Sequence, residues 1–171
     1  MKKENILVII LICICAGGIF LYMNSRQDQP SAASFSANSI DNSLNSLIDW
    51  KSFDQGLTLA KDQSKPVFLY FYADWCTFCT KLKKTTFKDK AVLAYLMQNF
   101  ISIKVDTEKD RQLAADWQVT GLPTLWFLDS EGQKLNAIPG YVDEKNFLLV
   151  LKYHFTRAYE NQTFQEFVKI Q

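Results

Sequence analysis

The sequence predicts an α/β protein, a mixed sheet of four to five strands flanked by helices and preceded by an apolar N-terminal segment. Three observations carry this. Aliphatic and aromatic runs alternate with stretches of helical periodicity, a pattern that gives parallel strands joined by crossover helices. The alternation ends in two strand-like runs joined at Asp129-Ser130-Glu131-Gly132, a hairpin that adds antiparallel pairing. Finally, Cys76 and Cys79 fall where the carboxyl end of the expected central strand meets a helix N-terminus, which is where open α/β sheets place their sites. With 171 residues, 48% hydrophobic and 14% aromatic, the chain can build one packed domain with a tail. A net charge of +1, with no concentrated basic stretch, argues against a nucleic-acid partner.

Each element has its own signal. "MKKENILVIILICICAGGIFLYM" (1–23) puts Lys2 and Lys3 before an uncharged run from Ile6 to Met23, long enough for a membrane helix. Basic residues ahead of the run keep the N-terminus in the cytoplasm and export the remainder. A cleaved signal with small residues Ser31 and Ala33 is the rival reading. Cys13 and Cys15, inside the run, read as small apolar residues. Residues 24–45, rich in Ser, Asn, Gln and Ala, read as a flexible linker. The domain spans 46–157. "SFDQGLTLAKDQ" is a short helix with Phe53, Leu57 and Ala60 on one face, ended by Lys65-Pro66. "VFLYFYA" suits a central strand buried on both faces. A helix starts at the cysteines, a second follows at "KAVLAYLMQNF", "FISIKVD" is a strand and "DRQLAADWQ" a short helix. "TLWFLDSEGQKLNAIPG" is the hairpin. A long helix begins at Asp143, a predicted N-cap, with Phe147, Val150, Leu151, Phe155 and Ala158 on one side. Residues 158–171 form a helical extension whose Tyr159, Phe164 and Phe167 either pack on the body or dock a partner.

The C-x-x-C spacing serves several chemistries. A structural zinc site needs four ligands, and beyond this pair the domain holds only His154, in the last long helix. Haem attachment needs a histidine after the second cysteine, where Thr80 stands. A structural disulfide is compatible with export, although so short a loop restrains the unfolded chain little. Redox exchange has the positive physical case. At the first turn of a helix the unpaired N–H groups and the dipole favour a thiolate, the attacking species, on Cys76. Cys79, one turn on, is placed to break the mixed disulfide that Cys76 forms. Lys81, Lys83 and Lys84 either form a solvated face or support that thiolate.

"YADWCTFC", with "GLPT" at 121–124 and the flanking "KPVFLYFYADWC" and "VTGLPTLWFLDSEGQ", resembles the thioredoxin superfamily, and within it the exported C-terminal domains of the DsbD type. The resemblance runs from about Lys65 to His154. It implies a thioredoxin-like fold, Cys76 as nucleophile, Cys79 as resolving thiol, and Trp75 as the aromatic bordering the site. Pro123 matches the proline that faces the disulfide, so the Leu122–Pro123 bond is expected to be cis, leaving the Leu122 backbone free to pair with an extended partner segment. Two departures stand out. Tyr70 occupies the position of the family's buried Asp, and a phenol is a poor base at neutral pH. Thr77-Phe78 replaces the Gly-Pro of thioredoxins between the cysteines.

The implied function is an enzyme, a thiol–disulfide oxidoreductase that reduces disulfides of exported proteins or relays electrons through Cys76 and Cys79. Its only cofactor is that redox-active disulfide, with no metal. Expected partners are protein thiol or disulfide clients and a membrane electron donor or acceptor. The expected location is the inner membrane, single-pass, with the domain in the periplasm, or a soluble periplasmic form if the signal is cleaved. Disulfide oxidation or isomerisation on the same fold is the alternative, and a redox-inactive binding or assembly module is a third reading.

Overall fold

The computed structural model describes residues 47–171. The expected anchor and linker lie outside them. Among the described residues no helix is long and apolar enough to cross a membrane.

Among the described residues the first helix is α1 (Phe53–Gln63), followed by β1 (Val67–Tyr72), α2 (Thr77–Lys84) and α3 (Lys90–Asn99). Then come β2 (Ile101–Asp106), α4 (Arg111–Asp116), β3 (Thr124–Leu128), β4 (Lys134–Pro139), α5 (Glu144–Phe155) and α6 (Phe164–Lys169). The four strands form one mixed sheet in the order β2-β1-β3-β4. β1 pairs parallel with β2, which requires the crossover through α2 and α3, and antiparallel with β3. Before α1, Lys51 makes an isolated bridge to Ile103, extending the edge beside β2 without adding a strand.

β1 is central and its side chains alternate between two cores. Phe68 and Tyr70 join Leu82, Phe87, Leu96, Phe127, Phe147 and both cysteines on one face. Val67, Leu69 and Phe71 join Ala60, Ile101, Ile103, Val105 and Trp117 on the other. An apolar residue at every β1 position is what burial on both faces demands. On the second face, Gly56 of α1 lies so close to Ile103 that any Cβ there would run into its side chain. The hairpin turns as its sequence predicts: Asp129 Oδ1 accepts from the Glu131 and Gln133 amides, and Gly132 takes φ +83°.

Two expectations are corrected. The helix expected over "DRQLAADWQ" stops at Asp116, because Trp117 caps it and Gln118 enters the left-handed region at φ +53°. The last long helix does start at the Asp143 N-cap, whose carboxylate accepts from the Asn146 amide at 3.0 Å, but it ends at Phe155. Arg157, at φ +56°, turns the chain, so Ala158 sits in a separate 3-10 turn, and Phe155, in the last helical turn, is 42% exposed. α6 carries a Thr163/Glu166 capping box and packs Phe167 onto Tyr153 and Ala158.

Candidate functional site

Cys76 and Cys79 lie just beyond the C-terminal end of β1 and are joined as a disulfide. Ala73 accepts a hydrogen bond from the Cys76 amide at 3.2 Å, and this turn leads β1 into α2. Cys76 is the N-cap of α2: its backbone is extended, and its Sγ accepts the Cys79 amide at 3.0 Å. A sulfur therefore fills the place that Ser or Asp usually takes at a helix start. Negative charge on that atom is favoured by the helix's unpaired N–H groups and dipole. Cys79, at the third helical position, is fully enclosed in the apolar cluster around Phe68 and Leu82. The two sulfurs are thus chemically unequal.

Around them the surface is aromatic. Trp75 is 69% exposed and Phe78 57%, so Trp75 is a rim residue and no part of the core. The Leu122–Pro123 peptide is cis, as the resemblance implied, and leads directly into β3. The Pro123 carbonyl accepts from the Gly140 amide at 2.7 Å, whereas the Leu122 backbone makes no hydrogen bond to any described residue. Lys81 and Lys83 are engaged with rings rather than with sulfur: Lys81 Nζ lies 4.1 Å from the Tyr141 ring centre and Lys83 Nζ 4.8 Å from that of Tyr72. Lys83 also stands 4.0 Å from Asp74, and Lys84 is exposed.

Tyr70, at the position of the family's buried acid, is 2% exposed, and its hydroxyl meets no hydrogen-bond partner among the described residues. Burial, reinforced by the neighbouring Tyr72, raises its pKa further above the ordinary phenol value, so it is a neutral hydroxyl at physiological pH. His154 is equally enclosed, stacked on Phe127 at 4.2 Å with both ring nitrogens unpaired, and burial lowers its pKa to about 4. It is a core residue on α5. Among the described residues no group of three or more His, Cys, Asp or Glu side chains is placed to hold a metal ion.

Sequence reasoning missed Phe78 as an exposed rim residue and Trp50 as a wall beside Tyr70, at a ring separation of 5.7 Å. Phe78 could have been found from its place between the cysteines: with Cys79 and Leu82 three apart on the buried face of α2, Phe78 falls off that face. Trp50 precedes every predicted element of the domain and left no periodic signal.

Comparison with known proteins agrees with this geometry. The family model of a thioredoxin-like domain matches residues 53–155. The thiol:disulfide interchange protein DsbD of Vibrio vulnificus is 36% identical over 131 residues, covering 73% of this chain and 20% of that protein. The corresponding protein of Photorhabdus laumondii is 33% identical over 106 residues, 59% of this chain and 18% of its own. The chain thus spans about a fifth of the length of the curated relatives it matches. Among solved structures, a thioredoxin-fold protein from Helicobacter pylori superposes with a TM-score of 0.61 at 20% identity, covering 74% of this chain and 92% of that one. The reduced C-terminal domain of Neisseria meningitidis DsbD gives a TM-score of 0.50 at 25% identity, covering 59% and 92%.

Proposed function

Because the chain belongs to the thioredoxin-like domain family, we propose that it is a thiol–disulfide oxidoreductase working through Cys76 and Cys79. One observation carries the reading: the paired cysteines sit at the start of α2 with Cys76 Sγ accepting a helix amide at 3.0 Å. In the cycle, the Cys76 thiolate attacks one sulfur of a client disulfide, and the client's other sulfur leaves as a thiolate. Cys79, on losing its proton, attacks Cys76 Sγ. This re-forms the Cys76–Cys79 bond and expels the second client sulfur. Two electrons pass to the client, whose two thiolates take up the protons that the protein dithiol gives up. A dithiol donor at the membrane then reduces the pair by the same exchange in reverse order.

Trp75, Leu122 and Pro123 line the approach: the exposed Trp75 offers an apolar contact, and the unpaired Leu122 backbone offers strand-like hydrogen bonds to an extended client. Residues 1–23 act as a single-pass anchor and 24–45 as a linker, holding the domain, 46–157 with its 158–171 extension, on the periplasmic face of the inner membrane. Tethering raises the effective concentration of the domain near a membrane donor or client.

The test is the equilibrium reduction potential of the pair in glutathione and dithiothreitol buffers. A value near about −270 mV is expected for a reductase. A value above about −150 mV makes disulfide donation to clients the better account. No reversible exchange would leave a binding module. A Cys79→Ser protein should accumulate mixed disulfides with exported proteins, and a Cys76→Ser protein should form none.

A further inference from the structure

Beside β1, on the face that carries Phe68 and Tyr70, lies an open cavity of about 320 Å³. This volume is at the lower end of the range that small-molecule sites occupy. Trp50, Tyr70, Tyr72 and Phe87 form its aromatic walls, with ring centres 5.3 to 5.6 Å apart along the Tyr70–Tyr72, Tyr70–Phe87 and Trp50–Phe87 contacts, and Asp74, Lys83 and Lys104 line it with charge. Two features make it more than a packing gap. Tyr70 has a fully buried hydroxyl with no hydrogen-bond partner among the described residues, at a position where Phe would fill the same space without that cost. Lys104, its register partner across the β1–β2 pair, emerges on the same face and lines the same cavity. The other rim ammonium, Lys83, already faces Asp74 at 4.0 Å, whereas Lys104 has no acidic partner among the described residues.

We propose that this cavity binds a small planar anion, an aromatic carboxylate by chemical class. One carboxylate oxygen accepts from Tyr70 Oη and the other meets Lys104 Nζ, while the ring lies against Trp50 and Phe87. The aromatic walls supply stacking area, and Lys104 sets the sign of the ligand's charge. Burial keeps Tyr70 protonated, so it presents a donor to the anion rather than a second negative charge. Neither group belongs to the exchange machinery, so this site and the oxidoreductase reading stand or fall separately.

The full-length chain is incubated with 4-benzoylbenzoate, irradiated, and the labelled peptides are identified by mass spectrometry. Its neutral amide serves as the charge control. Saturable labelling confined to peptides holding Trp50, Tyr72 or Phe87 is expected. Labelling should fall about five-fold for the amide and for Lys104→Gln. It should fall about ten-fold for Tyr70→Phe, which keeps the ring and hence the fold. Labelling that fails to saturate, scatters over other peptides, or is the same in the wild type and in both variants would overturn the proposal and leave the cavity to water.

Discussion

Replacing His154 by Phe should remove a pH dependence of stability that the wild-type fold carries. His154 is the chain's only histidine, and it is 3% exposed with neither nitrogen paired. Burial lowers its folded-state pKa from 6.5 to about 4. Between those values the unfolded chain holds a proton that the native state does not, so stability rises with pH and is lost on acidification. Integrating over that window gives a loss of about 2 kcal/mol between pH 7 and pH 5, growing to about 3 kcal/mol by pH 4. Asp106, Asp143 and Glu166 also have lowered values, held there by backbone and side-chain hydrogen bonds. Their stability contributions are lost chiefly below the ordinary carboxylate range, and pH 5 keeps most of that out of the comparison. Phe preserves the stack on Phe127 and cannot titrate. Urea unfolding of the oxidised protein, followed by tryptophan fluorescence at pH 7 and pH 5, should show the wild type losing about 2 kcal/mol and His154→Phe losing less than about 0.5. Equal losses, or an imidazole resonance that titrates near 6.5 in the native state, would refute the reasoning.

Other consequences follow from single contacts. Thr86 is fully buried and donates from Oγ1 to the Val142 carbonyl at 2.7 Å, so Thr86→Val should cost about 1–2 kcal/mol in denaturant titration while Thr86→Ser costs less. Gly56→Ala, which at an exposed helical site would gain about 1 kcal/mol, should instead destabilise by about 1–2 kcal/mol through its clash with Ile103. In an Ile103→Ala background the same change should be neutral or favourable. Phe167→Ala should cost about 3 kcal/mol if α6 is integral to the fold, and unchanged stability would show that it is not. Release of a client from the Cys76 mixed disulfide, timed by stopped flow, should quicken about tenfold per pH unit between about pH 6 and 8. A plateau below pH 7 would point to a protein base beside Cys79.

The parts legible in the sequence are those whose cause is local. β1 needs apolar residues at every position because it is covered on both faces, and "VFLYFY" says so. Asp129 and Gly132 encode the hairpin turn through a side-chain acceptor and a left-handed backbone. The cysteines announce themselves by spacing and by position after that strand. What stayed hidden depends on partners distant in sequence. The 3.6-residue period continues through Phe155 and Ala158, yet the helix stops because Arg157 takes a left-handed conformation, and periodicity alone does not record where a chain turns. Nothing near Tyr70 or His154 in sequence says that each will be covered by rings from distant segments, Trp50 and Phe87 for one and Phe127 for the other. The cavity beside Tyr70 arises only when β2 brings Lys104 alongside.

The same contrast between local and distant causes bears on the chemistry. The advantage of Cys76 is local: being the N-cap, it takes the amide that α2 leaves unpaired, and any reduced helix of this sequence start offers it the same hydrogen bond. The handicap of Cys79 is tertiary. To resolve a mixed disulfide it must lose a proton while enclosed by Phe68, Leu82 and their neighbours, and the side chain at the family's acid position is a phenol that burial holds neutral. A neutral phenol accepts a proton poorly, so in the proposed cycle the proton must go to water or to a group other than Tyr70. In that proposed cycle, attack by Cys76 is helped by the helix, whereas departure of a client is not helped by Tyr70. The proposed cycle therefore predicts that capture of a client outpaces its release, and wild-type protein trapped at low pH should hold more mixed disulfide than protein trapped at high pH.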